Sequence, residues 1–170
     1  MKLKQEQTLV LIKPDGVQRG LIGAVIGRLE RVGLKLVGIK LVTPNAETIG
    51  QHYAKMKDPV LGHLKRLMTS GPVVAMAWEG AHAIGIVRKL IGGTEPLSSD
   101  VGTIRGDYTV DSYQLADADN RAVRNIVHAS GNAEEAKAEI NLWFKSDDLA
   151  RYRLVSEAIL YDVNLDGILE

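Results

Sequence analysis

The sequence predicts an α+β fold of the ferredoxin-like, split βαββαβ kind: a four-stranded antiparallel sheet with helices packed on it, on one face, and a long loop before the last strand. Two features carry that reading. Apolar runs of strand length alternate with stretches of helical spacing, in the order strand, helix, strand, helices, strand, helix, strand, helix. Glycine, proline and Asp-Gly fall at the joints, where the chain must reverse. Residues 1–170 are read as one domain, since a chain of this length forms a single core.

The first strand is TLVLI, Thr8 to Ile12, stopped by the turn sequence KPDG. In LIGAVIGRLERVG, Leu21, Ile22, Val25, Ile26, Leu29 and Val32 recur at helical spacing and Gly33 ends the helix. LKLVGIKLV, Leu34 to Val42, is the second strand, broken by Thr43-Pro44. Ala46 to Met68 is helical but interrupted at Asp58-Pro59, which gives two short helices. PVVAMAW, Pro72 to Trp78, is the third strand; AHAIGIVRKLIGG, Ala81 to Gly93, is a helix with Ile84, Val87 and Ile91 on one side. The fourth strand runs through RNIVHAS into His128. NAEEAKAEINLWF follows as a helix, with Asn132 and Glu135 at capping-box spacing and acids in its first turn. Between Gly92 and about Ala122 no period is sustained. Loops beyond about 15 residues are usually functional or disordered, and GTIRGD within this one favours function.

Twenty-one basic side chains equal twenty-one acidic ones, so no net field draws the chain to nucleic acid or to a membrane surface. Residues are 45% hydrophobic and 25% charged, an ordinary soluble composition. The absence of cysteine excludes disulfides, thiolate zinc sites and a cysteine nucleophile. The apolar run near the amino terminus is too short for a signal-peptide core, and PVVAMAW is far below spanning length, so a cytoplasmic location is expected.

Several chemical motifs fail. No G-x-x-x-x-G-K-[ST] occurs, and the glycines of GLIGAVIG miss the dinucleotide spacing, fitting helix packing instead. DVNLDG places Asp162, Asn164, Asp166 and Gly167 like the start of a calcium loop, but the twelfth-position glutamate would fall beyond Glu170. The histidines form no metal pairs at helical spacing; His52, His63 and His82 read as structural side chains. Taken alone, so does His128. What remains is a dispersed set of cations beside backbone breakers: Lys13 at a strand end, Arg88 on a helix and Arg105 in the long loop.

The blocks IKPDGVQRGLIGAVIGRLE, SGPVVAMAWEG, GGTEP, GTIRGD, RNIVHAS and AEINLWF, in this order between Thr8 and Phe144, closely resemble the nucleoside diphosphate kinase family. The resemblance implies transfer of the terminal phosphate of a nucleoside triphosphate, typically ATP, to a nucleoside diphosphate through a phosphohistidine, with ping-pong kinetics. It implies His128 as the nucleophile, Glu139 as the carboxylate that orients it, and Ser130 and Tyr53 beside it. Lys13, Arg88, Arg105 and Thr94 match the phosphate-binding positions, and Asn125 a contact to the sugar hydroxyl. Mg²⁺ is expected to arrive on the nucleotide phosphates, without a dedicated protein metal site. The implied partners are ATP and other nucleoside tri- and diphosphates and further copies of the chain, as a hexamer, tetramer or dimer. Chemistry agrees: neutral imidazole is a nucleophile, and clustered cations offset a triphosphate's charge.

The sequence departs from the family pattern in four places. KDPVLGHL is one residue shorter than usual and offers Val60 or Leu61 where a base-stacking aromatic is expected. An insertion lies near 112–123, Gly131 stands where many relatives have aspartate, and a tail extends beyond about 145. A nucleic-acid-binding module would share the split topology, but it needs sheet-face aromatics and a basic surface; the one phenylalanine, Phe144, falls on a helix and the net charge is zero. A nucleotide binder without turnover is disfavoured by the joint presence of His128, Glu139 and the cations.

Overall fold

The computed structural model describes residues 3–162. The first half runs β1 (Glu6–Ile12), α1 (Pro14–Gln18), α2 (Ile22–Glu30), β2 (Lys35–Val42), α3 (Ala46–His52), α4 (Val60–Met68) and β3 (Val73–Gly80). The second half runs α5 (Ala83–Ile91), α6 (Ile104–Tyr108), α7 (Tyr113–Ala118), β4 (Val127–Ala129), α8 (Ala133–Trp143) and α9 (Glu157–Tyr161). The four strands form an antiparallel sheet in the order β2-β3-β1-β4, the split topology that the element order predicts.

Helices cover both faces of the sheet, where the sequence reading expected one. Val10 and Ile12 of β1 belong to a core with Val25 and Leu29 of α2 and Val87 and Ile91 of α5. Leu9 and Leu11 belong to a second core with Ile49 of α3, Met68 of α4 and Ile140 and Trp143 of α8. The signal was in the strands themselves. Leu9, Val10, Leu11 and Ile12 are all fully buried, and an uninterrupted apolar run means cover on both sides, where alternation would mean one.

Two other expectations are corrected. The KPDG turn is a short helix: Pro14 stands at its first position, where proline's fixed φ and missing N–H cost nothing. The segment read as aperiodic contains α6 and α7, of five and six residues, too short to show a period. Each has a side-chain cap: Thr103 Oγ1 accepts from Gly106 N at 3.0 Å and Ser112 Oγ from Leu115 N at 3.1 Å. The stretch expected as an insertion is tied down at both ends. Buried Asp111 takes both Arg121 guanidinium nitrogens, at 2.6 and 2.9 Å, and the Arg124 N–H at 2.6 Å. Those hydrogen bonds hold its carboxyl down to about 2. Asn120, at the turn after α7, reaches α4, its Oδ1 3.0 Å from His63 Nε2.

The tail closes the β2 edge. Ala150 N donates to Val37 O at 2.7 Å, and Tyr152 Oη donates to Leu36 O at 2.6 Å, where the β2–β3 register slips. The calcium-like DVNLDG lies outside the described residues after Asp162.

One joint positions the site. Lys13 N donates to Ile126 O at 2.8 Å and Asp15 Oδ2 accepts from Ile126 N at 3.0 Å, holding Ile126 at φ 56, a backbone region that β-branched residues avoid. Gly16 makes the approach possible, because a Cβ there would sit 2.9 Å from both Ile126 O and Ile12 Cγ2. Gly16→Ala is therefore expected to destabilise the protein by about 1–3 kcal/mol, read as a lower urea midpoint at unchanged m-value. An unchanged midpoint would show that the joint is not tightly packed.

Candidate active site

His128 lies mid-strand in β4, paired with Leu11 of β1, so its side chain shares the Leu9/Leu11 face with α3 and α8. Its neighbours Val127 and Ala129 fill the opposite core. The ring is mostly buried, with 19% of its side chain exposed. On one side stands α8, whose Asn132 cap accepts from Glu135 N at 2.9 Å. The other half of the expected capping box is redirected: Glu135 Oε2 accepts from Gly131 N at 3.1 Å.

Glu139 of α8 reaches both residues that matter. Its Oε1 lies 3.0 Å from His128 Nε2, and its Oε2 accepts from Ser130 Oγ at 2.6 Å. Ser130 is in turn locked to the sheet, since Leu9 N donates to its Oγ at 3.2 Å and its own N–H donates to Leu9 O. Burial works to raise the Glu139 pKa, but the hydrogen bonds from His128 and Ser130 outweigh it and the carboxyl is held low. An ionised carboxylate only accepts, so His128 carries its proton on Nε2 and presents a free lone pair on Nδ1. Burial lowers the His128 pKa, Glu139 opposes this, and Lys13 and Arg105 add to the lowering. The neutral ring is thereby favoured.

The cations meet at the same cleft, of about 880 Å³, which His128, Lys13, Arg88, Arg105 and Asn125 all line. Lys13 is 5% exposed and donates from Nζ to Asn125 Oδ1 at 2.7 Å. Arg105 is 4% exposed, and its guanidinium donates to the carbonyls of Asn125, Gly92, Gly93 and Val127. Asn125 closes the set, its Nδ2 donating to Thr94 O at 2.7 Å. Neither buried cation has a carboxylate within ion-pair distance among the described residues. Burial, then Arg105, lowers Lys13 to about 8 against the pull of Asp15; burial, then Arg88, lowers Arg105 to about 10. Two buried positive groups without a counterion make a site for an anion. Arg88 and Thr94 are exposed at the same cleft.

Tyr53, the residue closing α3, is 9% exposed with its ring 5.8 Å from that of His128. Burial pushes its phenol pKa upward, so the hydroxyl stays protonated. Val60 lines the cleft and is half exposed. Leu61 is turned elsewhere: it packs on the Leu9/Leu11 core, and Val60 alone of the two faces the cleft. Helical spacing explains this, because Leu61 and buried Met68, seven residues apart, fall on one side of α4.

His52, which reads from the sequence as a structural side chain, stands directly against His128. Its side chain is fully buried, its ring stacks edge-on to His128 with centroids 4.5 Å apart, and Trp143 Nε1 donates to its Nδ1 at 3.2 Å. Ligand atoms of His52, His128 and Glu139 lie within 4.8 Å of one another. Two imidazoles and one carboxylate suit a softer cation than Mg²⁺, which prefers oxygen. The sequence signal was faint: Ile49 and His52 are i and i+3 on α3, and Glu139 and Trp143 are i and i+4 on α8.

Residues 6–149 match the family model described as nucleoside diphosphate kinase. The chain belongs to the nucleoside diphosphate kinase family. A nucleoside diphosphate kinase of Prochlorococcus marinus (strain MIT 9313) is 47% identical over 148 residues, 86% of this chain and 91% of that protein. Among solved structures, a nucleoside-diphosphate kinase from Borrelia burgdorferi with bound vanadate and ADP, a transition state mimic, superposes with a TM-score of 0.89. It is 36% identical and the match covers 93% of this chain and 98% of that one. A halophilic nucleoside diphosphate kinase from Halobacterium salinarum in complex with CDP gives 0.83 at 41% identity, covering 93% and 99%.

The Lys13 environment yields a pH signature for this family member. Its folded pKa of about 8 lies below the unfolded value of 10.5, so the unfolded chain binds more protons between the two. Nucleotide-free wild-type protein therefore gains stability from this group as pH rises from 8 to 10.5. Against Lys13→Met, which lacks the group, the stability difference should move in favour of wild type by up to about 1.4 kcal/mol per pH unit in that window. Denaturant titrations across the window would read it; a constant difference would mean that Lys13 is not held at a depressed pKa.

Proposed function

We propose that this phosphotransferase, which acts between nucleotides as a member of its family, uses His128 Nδ1 as the phosphoryl relay. The observation that carries the reading is the Glu139 hydrogen bond to His128 Nε2, which leaves the other ring nitrogen with its lone pair toward the cleft. In the first half-reaction the Nδ1 lone pair forms the N–P bond to the terminal phosphorus, and the bond to the bridging oxygen breaks. Its electrons leave with the nucleoside diphosphate. In the second, a terminal oxygen of an acceptor diphosphate forms the new O–P bond and the N–P electrons return to Nδ1. The two halves reverse one another, so one pocket serves donor and acceptor in turn.

Each neighbour has a part. Lys13, Arg88 and Arg105 would offset the phosphate charge, with the Arg105 fork already oriented by four carbonyls. Asn125 and Thr94 would hold sugar and phosphate oxygens, Val60 would face the base, and Tyr53 and Ser130 would support the histidine. Mg²⁺ fits here as a nucleotide-borne ion, since the described residues at the cationic end offer it no cluster of carboxylate oxygens. When bound, it would neutralise part of the phosphate charge beside Lys13, Arg88 and Arg105. ATP is the expected donor, and self-association into a homo-oligomer and a cytoplasmic location are part of the same reading. Among the described residues no helix is long and apolar enough to cross a membrane.

The test is to mix the protein with terminally labelled ATP and Mg²⁺ and remove free nucleotide. The expected product is an acid-labile, base-stable phosphoprotein that passes its label to added GDP. His128→Ala should fold and take up no label; undiminished labelling of that variant would assign the relay to another residue.

A further inference from the structure

The buried His52 imidazole has one satisfied nitrogen and one that is not. Trp143 Nε1, an indole N–H that can only donate, donates to His52 Nδ1 at 3.2 Å. His52 is kept neutral, because burial and the neighbouring His128 lower it to about 3 against the opposing pull of Glu139. A neutral imidazole that accepts on Nδ1 must carry its proton on Nε2. That Nε2 is fully buried and has no hydrogen-bond partner among the described residues, a costly state for a donor. Glu139 Oε1 lies 3.8 Å away, less than about 1 Å beyond hydrogen-bond range, and it is the same oxygen that holds His128 Nε2 at 3.0 Å.

We propose that His52 is a positioning residue: a neutral N–H donor, its tautomer set by Trp143, that closes on Glu139 Oε1 and holds the carboxylate in register with His128. The residues come from two helices. His52 ends α3, while Glu139 and Trp143 stand one turn apart on α8, so the indole and the carboxylate grip the two sides of one imidazole. With this donor engaged, Glu139 has three partners: Ser130 on Oε2 and both histidines on Oε1. Rotation of the carboxylate, which would release Nε2 and allow the relay ring to change tautomer, is then blocked. The same proton argues against a cation bridging His52, His128 and Glu139, because a metal would need the Nε2 lone pair that the Trp143 contact excludes.

This inference rests on His128 as the relay, and the experiment separates the two. Gln at position 52 presents an amide N–H where Nε2–H stood; Asn presents an acceptor where Nδ1 stood and removes the far donor. Single-turnover labelling by Mg²⁺–ATP should be at least about 10-fold faster in His52→Gln than in His52→Asn, the value of a hydrogen bond to a charged acceptor. A purely structural histidine bound to Trp143 predicts the reverse order. Equal rates, or a faster Asn variant, would overturn the proposal. Should either variant fail to fold, ¹⁵N–¹H spectra of histidine-labelled wild type decide: His52 is expected as the Nε2–H tautomer at pH 7, and an Nδ1–H tautomer or an imidazolium would refute it. Failure of wild type to label at His128 would instead sink the relay reading and leave the tautomer result standing.

Discussion

The carboxylate of Glu139 is the constraint on which the site depends. One oxygen takes the Ser130 hydroxyl and the other takes His128, so a single helix residue fixes a strand residue and a loop residue together. That geometry exists only because the sheet is covered on both faces. His128 points into the second core, under α8, while its neighbours Val127 and Ala129 bury in the first. A sheet open on that face would leave the imidazole in water, its hydrogen bond weakened and its tautomer free.

The cations supply the other half of the account. Burial of Lys13 and Arg105 depresses both pKa values and leaves positive charge with no described carboxylate at ion-pair distance. That arrangement is unfavourable in the absence of ligand and favourable when an anion enters, which under the proposed reading directs binding energy to the phosphate tail. Ile126 belongs to the same trade. Its strained backbone is held by Lys13 N–H and Asp15, so the residue before β4 is tied to the segment that carries the lysine.

Much of this was legible in the sequence, for identifiable reasons. Long apolar periods announce α2, α5 and the strands, and the topology follows from their order. Short capped helices such as α6 and α7 announce themselves only through Thr103 and Ser112, and their few residues hold no period. Two-sided cover of the sheet is written in the unbroken Leu9–Ile12 run, whereas the split element order by itself suggests helices on one face. Within the site, the roles proposed for Lys13, Arg105 and His128 came from block resemblance, since spacing alone does not bring strand ends and a loop together. His52 escaped because its meaning lies in a contact with Trp143, ninety-one positions away, and in a proton whose location only that contact decides.

The most direct measurement of the central claim is the regiochemistry of the phosphorylated enzyme. Alkaline digestion of the labelled protein followed by ³¹P NMR, or chromatography against the two phosphohistidine isomers, distinguishes the nitrogens. With Glu139 occupying Nε2, the account predicts phosphate on Nδ1 of His128. Phosphate on Nε2 would mean that the carboxylate does not hold the ring during transfer, and would contradict it.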